Sequence, residues 1–268
     1  MRFYLLCLLI VFAWSPALYS DQPILNKMPR WDGGYGFQVL YDSIHRGKLF
    51  KEDQVIDSNR WEDIRLLHLQ GVYTWDRSIR MTLKIPYALE AERLNLDGSV
   101  DTYKGLGDIT LALPLKQYFN LDGRSGSWTL TPQVVIPTAS YKANIYDVFS
   151  RSWGGGLFAG YETETYRWFF AIGAAYWVYE KDKPEAFKAN LDFGINPTNR
   201  TQVLVEIDYL SENNDAGYIK IGPSFYFRQN MHTHWRIEFK KNYRESVGRN
   251  RTDYANESMM SVGVGFVF

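Results

Sequence analysis

One cysteine in 268 residues, Cys7, leaves no pair from which a disulfide could form. Charge of one sign is missing too: 30 Lys+Arg stand against 30 Asp+Glu. A zero balance argues against nucleic acid as a partner and against a dedicated polyanion trap. Past the first twenty residues, no apolar run reaches the length of a membrane-spanning helix. No Pro/Ser-rich linker, composition break or heptad run marks a domain boundary. What the chain has in quantity is aromatic side chains: 16% of its residues, with 9 Trp and 19 Tyr, many at the ends of alternating segments.

The first twenty residues have the pattern of an export signal. Arg2 gives a positive start, residues 5–14 form a short apolar core, and Ser15, Ala17 and Ser20 are small residues suited to cleavage. Cleavage after Ala17 and after Ser20 are both open. Cys7 lies inside the apolar core, so this is not a lipoprotein signal and the mature chain has no thiol. The expected organisation is a signal peptide over 1–20, a periplasmic leader or plug over 21–32, and one β-domain over 33–268.

Strand periodicity is strongest at the end of the sequence. Phe268, Phe266, Val264, Val262 and Met260 share one parity, while Gly265, Gly263 and Ser261 occupy the other. This is a strand with one apolar face, as in the closing strand of bacterial outer-membrane barrels. Twelve strands are expected, at about 33–45, 61–75, 78–88, 105–119, 127–139, 152–163, 167–180, 186–196, 200–211, 217–228, 233–244 and 257–268. The links between them alternate. Short ones fall at 76–77, 120–126, 163–166, 196–200 and 229–232. Longer ones fall at 46–60, 89–104, 140–151 and 245–256, and modest ones at 181–185 and 211–216. An even-stranded membrane barrel has short periplasmic turns and longer outer loops, and a soluble sandwich has no reason for that order. The expected fold class is therefore all-β: a transmembrane, antiparallel, up-and-down barrel.

Three strands show the facing clearly. Ile79, Met81, Leu83, Ile85 and Tyr87 form one apolar row. Trp168, Phe170, Ile172, Ala174, Tyr176 and Val178 form a second, and Phe187, Ala189, Leu191, Phe193 and Ile195 a third. Their alternates are polar or small, which is the inverse of a soluble barrel's surface. Trp75, Trp128, Trp168 and Trp235 sit beside short turns, where an aromatic girdle belongs. Leu66 and Leu67 are apolar at both parities and leave that strand's register open.

Parity assigns a lumen lining of Arg80, Lys84, Asp108, Lys116, Glu162, Lys188, Asp192, Glu206, Asp208, Lys220, Arg236, Glu238 and Lys240. Turn centres place Lys188 opposite Asp208, Asp208 opposite Lys220, and Glu206 facing Lys240 across Gly222. Such a lining either holds the barrel rigid through ion pairs or screens solutes at a constriction.

The segment Gly105-Leu106-Gly107-Asp108-Ile109-Thr110, followed one hairpin later by Pro137-Thr138-Ala139-Ser140, resembles the G-L-G-D strand start and P-T-G-S strand end of a family of outer-membrane proteins named for the meta pathway of phenol degradation. Ala139 replaces the family's glycine. The resemblance implies a barrel that passes small molecules, hydrophobic or aromatic ones included, and it brings no catalytic residues. The expected function is a passive outer-membrane channel. Its expected partners are outer-membrane lipid, an unidentified small solute, and the barrel-assembly machinery through the strand ending at Phe268.

An outer-membrane lipid hydrolase and a purely structural barrel are the alternatives. Hydrolysis needs a nucleophile, a base and a group that orients the base. His68 points inward, but its expected neighbour is near Lys84, with no serine or carboxylate at hand. His232 and His234 share a face and could hold a metal ion, yet no third ligand is evident. His45 sits at a loop edge. No catalytic residue, cofactor or metal is assigned.

Overall fold

The computed structural model describes residues 27–268 except 53, 122–123, 141, 144–145, 147–148, 150, 181–182, 214–215 and 249–250. The expected export signal and most of the leader lie outside the described residues.

The strands are β1 (Tyr35–Lys51), β2 (Gln54–Asp57), β3 (Glu62–Asp76), β4 (Ile79–Leu94), β5 (Val100–Leu106), β6 (Ile109–Ala112), β7 (Leu115–Leu121), β8 (Arg124–Ile136), β9 (Gly154–Glu164), β10 (Trp168–Tyr179), β11 (Ala186–Thr198), β12 (Thr201–Glu212), β13 (Ala216–Arg228), β14 (Thr233–Val247) and β15 (Thr252–Val267). All pairings are antiparallel, and each wall strand pairs with its sequence neighbour. β2 folds back on the end of β1, and β5, β6 and β7 together make one interrupted wall, so the fifteen segments form twelve walls. β15 pairs with β1 from Gly36↔Val267 to Lys51↔Thr252, which closes the barrel.

The seam shows why the terminal alternation matters. Met259, Ser261 and Val267 are buried on the inside, while Met260 and Phe268 are exposed on the outside. Phe268 stacks on Tyr35 at 5.6 Å and Phe266 lies 5.0 Å from Phe37, so the closure is covered by rings on the lipid side. The three expected apolar rows all face outward, and Trp75, Trp128 and Trp235 are exposed at the short-turn end.

Several strands are longer than expected. β1 continues to Lys51, β4 to Leu94 and β14 to Val247, while β15 starts at Thr252. The expected long links at 46–60, 89–104 and 245–256 are thus largely paired hairpins that rise beyond the apolar band. There the outer face meets water and carries Arg65, Glu90 and Lys104, so the apolar/polar alternation fades while the backbone pairing persists. Among the described residues, the link after β8, over 137–153, carries no strand.

The expected strand at 105–119 is broken twice. Gly107 and Asp108 leave the ladder, and so do Leu113 and Pro114, where proline offers no N–H. Leu66 settles the open register by facing inward, where it packs with Ile44, Ile64, Ala88 and Met259.

Candidate functional site in the barrel lumen

The residues assigned by parity all face the interior: Lys84 lines the cavity, Glu162 is half-buried, and the rest are buried. The walls β12, β13 and β14 carry a dense ionic cluster. Lys240 Nζ lies 2.8 Å from Glu206 Oε2 and 2.8 Å from Asp208 Oδ2, and it also contacts Glu238. Arg236 Nη2 is 3.0 Å from Glu206 Oε2 and 2.7 Å from Glu238 Oε2, and the Ser224 hydroxyl donates to Glu206. Glu206 and Lys240 meet across Gly222 because β14 comes so close there that a Cβ would sit 1.7 Å from the Phe239 carbonyl oxygen.

A second ionic chain runs around the barrel nearer the long-loop end. Lys220 pairs with Glu257, which accepts from Arg46 Nε at 3.0 Å. Arg46 Nη1 reaches Glu62 at 2.8 Å, Arg93 holds the other oxygen of Glu62 at 2.5 Å, and Arg93 also reaches Asp253 at 3.3 Å. Sequence reasoning missed Arg46, Glu62, Arg93 and Glu257 as lining residues. Most of them lie in stretches expected to be loops or strand ends, and continued alternation with Ile44 and Ile64 was the available signal.

Register is as expected at Asp208↔Lys220 and differs at Lys188, which stands opposite Leu210, leaving Asp208 opposite Asn190. β11 runs on through a bulge to Thr198, moving the hairpin centre by one residue and the partner by two.

Two segments enter the lumen from opposite ends. At the short-turn end, Lys27 donates to Gln202 Oε1 at 2.5 Å and lies over the Phe169 and Tyr226 rings. Met28 packs on Val72 and Val267, and Arg80 donates to the Pro29 carbonyl at 3.1 Å. Arg30 is 8% exposed, and none of its guanidinium nitrogens has a partner among the described residues.

At the long-loop end, described residues of the link after β8 reach inward: Ala143, Tyr146 and Phe149 are buried. Tyr146 is buried and donates to the carbonyls of Ala91 (2.8 Å) and Asp101 (3.1 Å); burial pushes its hydroxyl pKa up, which keeps it a neutral donor. Phe149 packs on Tyr103, and Gly107 makes room for it, since a Cβ there would lie 2.6 Å from the ring. Asp108 fastens both ends of this link. Its Oδ1 accepts from the Thr138 and Ala139 amides at 3.1 Å each, and its Oδ2 from the Arg151 amide at 2.7 Å. Thr138 Oγ1 in turn donates to the Gly107 carbonyl at 2.5 Å. The two motifs that the sequence shows one hairpin apart are therefore a single clasp.

The lumen holds a cavity of about 240 Å³ whose lining includes Arg30 of the leader and Phe149 of the link after β8. On the inner faces of β9 and β10, small residues sit against rings. Phe158 lies over Gly160 and Gly173, Trp177 over Gly156, and Tyr179 over Gly154. The lumen is thus ionic along β12–β15 and mixed along β8–β10, where Thr129, Thr131, Gln133 and Glu162 line the cavity beside Phe158, Gly160 and Ala171.

The surroundings of His68 correct the expectation made for it. Its partner on β4 is Pro86, and both a carboxylate and a serine are close: His68 Nε2 lies 2.8 Å from Asp42 Oδ2, and Ser261 Oγ donates to Asp42 Oδ1 at 2.6 Å. Neighbouring strands β1, β3 and β15 bring these together, which turn counting within one hairpin could not show. The order is Ser–Asp–His, with the carboxylate in the middle, so the imidazole is not placed to take the serine proton as a triad requires. His232 Nδ1 lies 2.9 Å from the Val267 carbonyl, His234 is buried, and His45, within β1, has its Nδ1 2.6 Å from Asp63 on β3. Among the described residues, no group of three or more His, Cys, Asp or Glu is placed to hold a metal ion.

A closed twelve-walled sheet with an apolar exterior and a charged interior defines a transmembrane β-barrel of the outer-membrane type. The family model described as "Putative MetA-pathway of phenol degradation" matches residues 63–253, and the chain belongs to this family. Among solved structures, an outer membrane channel from Pseudomonas putida F1 is similar, with a TM-score of 0.75 at 13% identity, covering 94% of this chain and 100% of that one. The KdgM porin (TM-score 0.48, 8% identity, 86% and 99% coverage) and the β-domain of a Bordetella autotransporter (0.48, 13%, 88% and 100%) are more remote. The first likeness shows a shared fold. No curated protein matches the chain in sequence.

Proposed function

We propose that this barrel is a passive channel of the bacterial outer membrane, carrying small solutes, hydrophobic or aromatic ones included, down their gradient. The observation that carries this reading is the lumen cavity, lined by the wall strands together with Arg30 of the leader and Phe149 of the link after β8. The leader over 21–32 is the periplasmic plug, and the link 137–153 narrows the outer mouth. The inward-facing charges serve both as wall braces and as the screen that solutes pass. Lipid covers the outer rows, and the strand ending at Phe268 is the segment the barrel-assembly machinery reads. The interior serves passage and not hydrolysis, because the Ser261–Asp42–His68 arrangement places no base on the serine.

Single-channel recording in planar bilayers tests the reading. Full-length protein should give small conductance steps, and deletion of residues 21–31 should enlarge them. Silence from both proteins would refute the channel.

A further inference from the structure

The lumen cavity holds more cation than its own carboxylates can use. Three carboxylates line it, and donors of the wall engage each one. Asp42 has His68 and Ser261, Glu162 has Lys116 at 2.5 Å and Ser127 at 2.8 Å, and Asp108 has three backbone amides. On the cationic side, Lys116 is matched by Glu162, and Arg80 reaches Thr74 and Pro29. Arg30 and Lys84 are left, each lining the cavity without a partner among the described residues. Thr82, between Arg80 and Lys84 on the inner face of β4, has a buried hydroxyl that is likewise unpartnered.

Arg30 stands within electrostatic reach of both Arg80 and Lys116, with Glu162 as the nearby carboxylate, so three cations gather against one anion. A guanidinium this buried is costly unless an anion meets it. The same cavity also carries apolar lining from Leu40, Leu66, Pro86, Ala112, Phe158 and Ala171, set among its polar residues. Its size lies between a cavity of about 150 Å³ that takes benzene and the roughly 300 Å³ at which drug-sized sites begin.

We propose that this cavity binds a small organic carboxylate, its charged group against Arg30 and Lys84 and its apolar body against Phe158 and the small-residue wall. The proposal rests on the channel reading for its purpose, since it names the class of solute held in the lumen. The site itself is open to a binding test alone. A planar, bidentate carboxylate suits the guanidinium fork, and the Thr82 hydroxyl can donate to the same group.

Isothermal titration of the full-length protein in nonionic detergent, with benzoate, benzyl alcohol and acetate as probes, tests the proposal. Benzoate should bind about tenfold tighter than benzyl alcohol, which lacks the charge, and tighter than acetate, which lacks the body. Arg30→Gln and Lys84→Gln should each weaken benzoate about tenfold and leave benzyl alcohol unchanged. Lys84 lies on a wall strand away from the leader, so its variant reads the site even if Arg30→Gln unseats the leader. Benzoate binding no tighter than benzyl alcohol, or unchanged in both variants, overturns the proposal. Bilayer current separates the two ideas: a protein that binds benzoate this way but never conducts keeps the site and loses the channel. One that conducts but fails to prefer benzoate loses the site and keeps the channel.

Discussion

Lys240→Met should destabilise the barrel severely, because Lys240 is the hub of three buried carboxylates. Its ammonium lies 2.8 Å from both Glu206 and Asp208, contacts Glu238, and is only 5% exposed as a residue. At an effective dielectric of about 20, each contact at this distance amounts to roughly 6 kcal/mol of Coulomb energy before desolvation is charged against it. Removing one partner from a buried ionic group leaves the others uncompensated, at a cost of about 3–5 kcal/mol. Here Arg236 would remain paired with Glu206 and Glu238, while Asp208 would lose the Lys240 ammonium. The assay is reversible urea unfolding in lipid vesicles, followed by tryptophan fluorescence, with Lys240→Met, Glu206→Gln and the double variant. Both single variants should lose stability, and the double should lose about 1–3 kcal/mol less than their sum, since the second change removes a charge the first left unpaired. A loss below about 1 kcal/mol for Lys240→Met would put the cluster in the class of water-screened surface pairs and refute the description of the β12–β14 side as rigidly braced.

Asp108→Ala removes the acceptor of three amides and should loosen the link 137–153 by about 3 kcal/mol, read as faster tryptic cleavage at the exposed Lys142. Gly107→Ala should do the same by a different route, because the added methyl would overlap the Phe149 ring and Pro86, and its barrel should still fold. Deleting residues 21–31 withdraws Lys27 and Arg30 from a lumen whose other charges stay in place, so the reversal potential in a KCl gradient should move toward cation selectivity; an unmoved potential would show that these two side chains do not face the permeation path. Phospholipid and lipopolysaccharide should stay uncleaved by the wild-type protein, and hydrolysis lost in His68→Gln or Ser261→Ala would instead reveal chemistry that the Ser–Asp–His order argues against.

The architecture was legible wherever one face of a strand meets lipid, because there the two-residue period is written in hydrophobicity. The rows from Ile79 to Tyr87 and from Trp168 to Val178 came out with the right faces for that reason. Above the lipid the same pairing continues without contrast, and so Arg46 and Glu62 were read as loop or left unassigned although they brace the inner wall. Contacts between strands distant in sequence were illegible for a second reason. Ser261 and Asp42 meet only because the last strand closes on the first, and the closing register, Asp42↔Ser261, depends on the stagger of the whole barrel. The clasp at Asp108 was half legible: its two motifs stood out as sequence, but the link they fasten has no periodicity from which an inward course could be read.

The uneven treatment of charge inside the lumen bears on how the leader is held. Glu206, Asp208 and Glu257 are paired by the wall's own donors, whereas the buried Asp192 Oδ2 has no hydrogen-bond partner among the described residues and stands in the field of Lys27. Lys27 is stacked between rings, whereas no guanidinium nitrogen of the buried Arg30 has a hydrogen-bond partner among the described residues, which makes the docked leader less stable than its apolar contacts alone would make it. A carboxylate bound at Arg30 removes that deficit only while the leader is docked. Because a ligand favours whichever state binds it better, such a solute tightens the plug by the same free energy with which the docked leader tightens the solute. An organic anion that uses Arg30 would therefore slow its own passage, while a neutral solute of the same body, which gains nothing from the guanidinium, would leave the leader's equilibrium where the wall sets it.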